Sequence, residues 1–205
     1  MNTALLSVFI PTFLFVSATP GMCMTLALTL GMQIGVRRTL WMMAGELVAV
    51  GLVAFAAVIG VAAIMLRYPE MFVVMKIAGG IYLAYLGLQL WRSQGSMAIQ
   101  LDDKPRDVSA RALVIQGFVT AVANPKGWAF FIALLPPFVD PEQPLAPQLT
   151  LLLGLILLIE WLCLMGYALG GKGLSRLLQK SGNVMLMNRC AGGLMFGVAL
   201  WLVLS

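Results

Sequence analysis

The chain has 205 residues, of which 61% are hydrophobic and only 10% are charged. A soluble globular protein of this length could not cover so much apolar surface, so the composition predicts an integral membrane protein. The net charge of +5 comes from loop residues that flank apolar segments, a pattern of membrane topology and not of nucleic-acid binding. The chain has no histidine, and Cys23, Cys163 and Cys190 form no CxxC pair. The sequence therefore gives no support for a metal, a cofactor or an enzymatic activity.

Six apolar stretches reach the roughly 20 residues that a transmembrane helix needs. They cover residues 3–30, 39–66, 71–92, 111–135, 148–171 and 185–204. The first stretch has no basic residue ahead of it and no Ala-x-Ala-like cleavage site, which favours a retained helix over a signal peptide. We therefore expect an all-α integral membrane protein with six transmembrane helices, forming a single transporter domain over residues 1–205.

Two of these stretches are interrupted near their middle. Thr19-Pro20-Gly21 breaks the first, and Asn124-Pro125-Lys126 breaks the fourth. Proline removes a backbone donor and glycine adds backbone freedom, so both helices should be broken at these points. The freed N–H and C=O groups cannot face lipid and must meet protein, water or a ligand. For either break taken alone, a plain proline kink is the alternative.

Three features recur in the same order along the chain. The segment KIAGGIYLAYLGLQLW from Lys76 resembles RCAGGLMFGVALWLVL from Arg189, Glu46 corresponds to Glu160, and the first break corresponds to the second. This recurrence predicts two homologous halves, each of which starts with a broken helix: helix 1 in the first half and helix 4 in the second. They are repeat one (1–92), a linker (93–110) and repeat two (111–205). Because each half has three spans, the halves should be inverted in the membrane, a plan typical of secondary transporters with a substrate site at the midplane.

Three ionisable residues lie well inside the predicted spans: Glu46, Lys126 and Glu160. A charge at a helix centre costs about 2.5–3.5 kcal/mol on insertion, so these side chains should face the bundle interior. The glutamates are the expected proton carriers, Glu46 more so because Gly45 lets another backbone approach. Lys126 is either a counter-charge for a substrate carboxylate or part of a structural ion pair. The predicted substrate-binding and translocation residues are Thr19, Pro20, Gly21, Asn124, Pro125 and Lys126, and the predicted proton-coupling residues are Glu46 and Glu160.

The segments TPG, GE, GGIYLAYLGLQLW and NPKGWAFFIALLPPFV, in spans one to four, resemble the LysE/RhtB family of amino-acid exporters over essentially the whole chain. The resemblance implies a secondary active exporter of amino acids or their derivatives in the bacterial inner membrane, coupled to the proton gradient. In two places the chain departs from the family pattern. Pro20-Gly21-Met22-Cys23 stands where the family usually has Pro-Gly-Pro-Asn, and Leu135-Pro136-Pro137-Phe138 where it has Leu-Pro-Gln-Phe. Methionine and cysteine near the first break favour a more apolar cargo, such as leucine or methionine.

Two other classes of membrane protein stay open. A transmembrane thiol–disulfide electron carrier needs two cysteines brought together, and Cys23 lies at the first break while the second break has none. A passive channel for small solutes would not need Glu46 or Lys126 inside the membrane. For the exporter, the expected partners are an amino acid as small-molecule substrate and membrane lipid, with a homo-oligomer as an open alternative and no nucleic acid.

The topology follows from the uneven distribution of basic residues. Ten lie in three loops on one side of the spans and two lie on the other. The ten are Arg37, Arg38, Arg92, Lys104, Arg106, Arg111, Lys172, Arg176, Lys180 and Arg189, and the two are Arg67 and Lys76. The positive-inside rule therefore predicts cytoplasmic basic loops and periplasmic N- and C-termini. Reporter fusions at Ser205 and within 93–110 should report opposite sides of the membrane; the same side for both would rule out six inverted spans.

Overall fold

A computed structural model describes residues 3–92, 108–135, 138–139, 143–179 and 181–204. Over these residues the chain forms eight helices and no β-strand, so the all-α prediction is confirmed. The helices are α1 (Thr3–Ala18), α2 (Met22–Gln33), α3 (Val36–Arg67), α4 (Pro69–Arg92), α5 (Ala110–Val122), α6 (Pro125–Leu134), α7 (Leu145–Gln179) and α8 (Ser181–Leu204). Most of the predicted linker, residues 93–107, lies outside the described part of the chain.

Three helices are long and apolar enough to cross a membrane over their described residues. These segments are Val36–Gly60, Leu145–Gly171 and Gly182–Leu200. Helices α1 and α2 together qualify as a fourth span, bent by 56° between Ala18 and Met22. The chain also leaves the helix between α5 and α6, so a break occurs at both predicted places. Among the described residues no further helix or bent helix pair meets both criteria, and the count of six spans therefore stays a prediction.

Helix α3 shows how the bundle is oriented toward lipid. Its side chains Val48, Leu52, Phe55 and Ile59 recur every three or four residues and are 47–58% exposed, whereas Glu46 is 0% exposed. A helix surrounded by water would have the opposite arrangement, with its apolar stripe buried and its carboxylate in solvent. Lipid on the outer face of the bundle accounts for this inversion.

Two hydrophobic clusters divide the bundle at the level of the helix breaks. The first cluster contains residues of α1 and α6 packed on α3, α7 and α8. The second contains residues of α2 and α5 packed on other parts of α3, α7 and α8. The long helices α3 and α7 take part in both clusters, and each therefore passes from one to the other along its length.

Glu46 on α3 and Glu160 on α7 lie where each helix passes from one hydrophobic cluster to the other. On α3 the change falls between Met43 and Val53, and Glu46 lies in that interval. On α7 it falls between Ile159 and Leu164, and Glu160 lies in that interval. The tertiary structure thus places both glutamates at one level, between two packed apolar regions.

The backbones of α3 and α5 come into direct contact at two glycines. A Cβ atom on Gly45 would overlap the carbonyl oxygen of Val114, and one on Gly117 would overlap that of Met42. The expectation that Gly45 admits a neighbouring backbone is confirmed, and the neighbour is α5. This crossing fixes the position of Glu46, the next residue on α3, against the helix that leads into the second break.

Replacing Gly45 by alanine should lower the free energy of unfolding by about 1–3 kcal/mol, because the added methyl group forces α3 and α5 apart. Gly60→Ala is the matched control on the same helix, since a Cβ at Gly60 meets no atom within 4 Å. The control should be neutral or slightly stabilising, because alanine is the better helix former. Thermal unfolding in detergent measures both variants. Equal effects would show that close packing at Gly45 does not hold the two helices together.

Candidate functional site

A cavity of about 60 Å³ lies where the two helix breaks meet, with room for a few water molecules. Five of the eight predicted site residues line it: Thr19, Gly21, Glu46, Asn124 and Glu160. Pro20 is half-buried beside these residues but is not part of the lining. The side chains of Pro125 and Lys126 lie outside the described residues, although both belong to the first turn of α6. The structure therefore brings most of the predicted residues of both halves to one place.

Glu46 is the most deeply buried of the polar side chains in this cavity. It is fully buried, and neither of its carboxylate oxygens makes a hydrogen bond of normal geometry with a described residue, although the Cys23 thiol and the Glu160 carboxyl lie nearby. Burying a carboxylate without hydrogen bonds costs free energy, so an unsatisfied carboxylate in a native protein indicates a functional role or a further binding partner. A cation that binds in the cavity, whether a proton or a charged ligand, would provide the missing partner.

Glu160 reaches the cavity from α7 and is held by the end of α1. Its Oε2 accepts a hydrogen bond of 2.7 Å from the hydroxyl of Ser17. Ser17 precedes the first break by two residues, so this bond ties the carboxylate to the point where α1 stops. The two glutamates therefore differ in environment, one bonded to a hydroxyl and one without a described partner.

Aromatic side chains satisfy a freed carbonyl at each break. The hydroxyl of Tyr167 donates to the carbonyl oxygen of Ala18 over 2.8 Å. The indole Nε1 of Trp128 donates to the carbonyl oxygen of Val122 over 2.9 Å. These are the last residues of α1 and α5, whose carbonyls have no partner within the helix. Of the three expected kinds of partner, namely protein, water or a ligand, these two carbonyls therefore have a protein side chain.

The N-terminus of α2 opens toward the cavity without a side-chain cap. Gly21 precedes the helix in an extended conformation (φ −147°, ψ −174°), and this N-cap residue makes no side-chain capping hydrogen bond. Gly21, Cys23 and Met24 all line the cavity. Helix α6 likewise begins beside it, since Asn124 and Gly127 are lining residues. Two helix N-termini, each with the positive end of a helix dipole, thus converge on the space that holds both carboxylates.

A contact between Cys23 and Asn124 joins the two breaks. The Nδ2 of Asn124 donates to the Sγ of Cys23 over 3.7 Å. All three cysteines of the chain are free. A thiol–disulfide carrier would need a second cysteine at the other break, and that place is held by an asparagine. This arrangement disfavours the electron-carrier alternative.

Sequence reasoning missed the side chains that support the breaks, namely Ser17, Trp128 and Tyr167. Tyr167 lies seven residues after Glu160, which is two turns along the same face of α7. That spacing was readable in the sequence, but nothing in it showed that the face meets the end of α1. Trp128 reaches back across its own break, which only the bend between α5 and α6 permits.

Residues 14–205 match the family model of the LysE type translocator. The chain belongs to the LysE type translocator family. The resemblance inferred from the TPG and NPK segments is confirmed, and the match includes both helix breaks and both cavity-lining glutamates of this translocator.

Curated relatives of this translocator cover nearly its full length. It is 26% identical to the homoserine/homoserine lactone efflux protein of Salmonella typhimurium, over 91% of this chain and 89% of the relative. It is 25% identical to an uncharacterized membrane protein of Vibrio cholerae, over 91% and 90% of the two chains. It is 24% identical to the leucine efflux protein of Klebsiella pneumoniae, over 89% and 86%. No solved structure matches the chain.

The cavity predicts a pattern of aqueous thiol labelling. In a chain whose three native cysteines are replaced by serine or alanine, Thr19→Cys and Asn124→Cys should react with a small water-soluble thiol reagent, because both positions line the cavity. Leu52→Cys is the matched control, since Leu52 faces outward from α3 and should be shielded by lipid. Cargo should slow labelling at the two cavity positions only. If both cavity positions are as inert as the control, the breaks are plain kinks.

Proposed function

We propose that this translocator is a secondary active exporter of an amino acid or amino-acid derivative in the bacterial inner membrane, working by exchange with protons. The family gives the general class, and two relatives are named as efflux proteins, one for homoserine and homoserine lactone and one for leucine. The observation that carries the proposal is the cavity, in which two helix N-termini meet the buried Glu46 and the half-buried Glu160.

The polar groups of this cavity match the two charges of a free amino acid. The cargo's carboxylate lies at the N-termini of α2 and α6, where N–H groups and the positive dipole ends favour an anion. Its ammonium lies at Glu46, whose oxygens lack described partners, and forms a charge-assisted hydrogen bond there. Lys126, in the first turn of α6, adds a counter-charge for the carboxylate. With the cargo bound, both of its charged groups are therefore paired with opposite charge from the protein.

Proton coupling follows from competition for the same carboxylate. Glu46 can hold a proton or the cargo's ammonium, but not both. With two glutamates lining one cavity, mutual repulsion favours a state in which one of them is neutral. Cargo that enters from the cytoplasm displaces the proton, and a proton that enters from the periplasm displaces the cargo. The outward direction of transport is then set by the proton gradient.

The pairing of helices supports two inverted halves. The second helices of the two halves, α3 and α7, pack together, and so do the third helices, α4 and α8. Across the halves, α1 packs on α7 and α5 packs on α3, as a pseudo-two-fold relation requires. With periplasmic termini, α1 and α6 occupy the outer half of the bilayer and α2 and α5 the inner half. That division agrees with the membership of the two apolar clusters, and it places the cavity between them.

Replacing Glu46 by glutamine should abolish pH-driven accumulation of cargo in inverted membrane vesicles while leaving exchange of internal for external cargo partly intact. Glutamine keeps the shape of the side chain but cannot release a proton. A pH difference of one unit can drive at most about a tenfold concentration ratio for one-to-one exchange, and the variant should show a ratio near one. The measurement uses a panel of labelled amino acids with and without a pH gradient.

Glu70→Gln is the control for this experiment, because Glu70 is an exposed glutamate in the first turn of α4. It should accumulate cargo normally. If Glu46→Gln also accumulates cargo normally, Glu46 is structural, and the coupling lies at Glu160 or with another ion. If the wild-type vesicles transport no amino acid, the proposed function itself is wrong.

A further inference from the structure

One part of the cavity lining is aromatic and carries no charged side chain. It consists of Phe13 from α1 and of Phe130 and Phe131 from α6. The ring of Phe13 lies 5.4 Å from that of Phe130 and 6.2 Å from that of Phe131, and the two α6 rings lie 6.0 Å apart. All three side chains are only 2–4% exposed. We call these three residues the aromatic wall.

A second layer of rings supports the aromatic wall from behind. Phe9 stacks on Phe13 with ring centroids 5.7 Å apart, and Phe138 meets Phe9 edge-on at 5.0 Å. Both are fully buried, and neither lines the cavity. The wall therefore belongs to a packed aromatic cluster, and it offers no hydrogen-bonding group to whatever lies against it.

The aromatic wall lies about one helix turn along α1 from Ser17, the residue that bonds the Glu160 carboxylate. On α1, Phe13 precedes Ser17 by four residues, which is about 6 Å along the helix axis. Ser17 is the residue that bonds Glu160 at the end of α1. A molecule whose ammonium and carboxylate lie at the breaks can therefore extend a side chain of three or four non-hydrogen atoms against the rings.

We propose that the aromatic wall is the side-chain subsite, and that the translocator selects α-amino acids with an uncharged apolar side chain, of the size of norvaline, leucine or methionine. This inference rests on the proposed function, since it assigns the part of the cargo that the charged groups do not hold. A hydroxyl or ammonium against the wall would lose its water without gaining a hydrogen bond.

Equilibrium binding to the purified full-length protein tests the subsite without any substitution. Labelled leucine and labelled homoserine serve as reporters, with alanine, 2-aminobutyrate, norvaline, homoserine and lysine as competitors. Each methylene added from alanine to norvaline should tighten binding by about fourfold. Norvaline and homoserine differ only in a methyl group against a hydroxyl, and norvaline should bind at least about tenfold more tightly.

A matched pair of variants on α1 assigns this preference to the wall. Phe13→Leu should lower the norvaline-to-homoserine affinity ratio by about fourfold or more, because it removes part of the apolar surface that the side chain contacts. Phe15→Leu, on the same helix but 46% exposed on its outer side and not part of the cavity lining, should leave the ratio unchanged. Equal shifts in both variants would refute the subsite and attribute the preference to general packing.

The remaining outcomes separate this inference from the proposed function. If homoserine or lysine binds as tightly as norvaline and is transported, the translocator exports amino acids but the aromatic wall does not select them. If the protein neither binds nor transports any amino acid of the panel, the proposed function fails and the subsite fails with it.

Discussion

A helix that breaks inside a membrane must satisfy its freed backbone groups within the protein, because lipid offers no hydrogen bonds. This constraint organises the bundle around α1–α2 and α5–α6. Tyr167 of α7 and Trp128 of α6 bond the carbonyls that end α1 and α5. The N-terminus of α2 borders the cavity, and its N-cap residue Gly21 makes no side-chain cap. Helix α7 must therefore lie against the end of α1, and that contact also brings Glu160 to Ser17.

The charges in the cavity are not balanced by the helix ends alone. A helix dipole stabilises a nearby anion by about 0.3–1 kcal/mol, and by about 2 kcal/mol in favourable buried geometry. A carboxylate at the centre of a span costs about 2.5–3.5 kcal/mol. Two N-termini therefore offset only part of the cost of Glu46 and Glu160 when both are ionised. The difference favours occupation of the cavity by a cation, and this is the physical basis for treating proton and cargo as competitors.

The division of the apolar core suits alternating access. Helices α1 and α6 share one cluster, and α2 and α5 share the other. Because each broken helix contributes its two parts to different clusters, one cluster can loosen while the other stays packed. Packed interfaces tend to switch between discrete arrangements and not to deform smoothly. The glycine contacts between α3 and α5 set a short distance between these two helices, which the proposed alternation would have to preserve.

Local residue chemistry was enough to predict the helix breaks, the charged candidate residues and the family. Proline and glycine in apolar stretches predicted both breaks, and the scarcity of charges inside the spans singled out Glu46, Lys126 and Glu160. Gly45 predicted a close backbone approach, and the TPG and NPK segments indicated the family. Each of these signals acts within a few residues, where backbone geometry and desolvation depend on the local sequence alone.

The tertiary structure decided which distant groups meet. It placed Ser17 on Glu160, Tyr167 on the end of α1, and Asn124 on Cys23. It also turned the phenylalanines of α1 and α6 into one wall of the cavity. No local pattern distinguishes these side chains from ordinary core or lipid-facing residues, because serine, tyrosine and phenylalanine occur throughout membrane helices. Their roles depend on how α1, α6 and α7 are packed, and packing is settled by contacts between residues far apart in the chain.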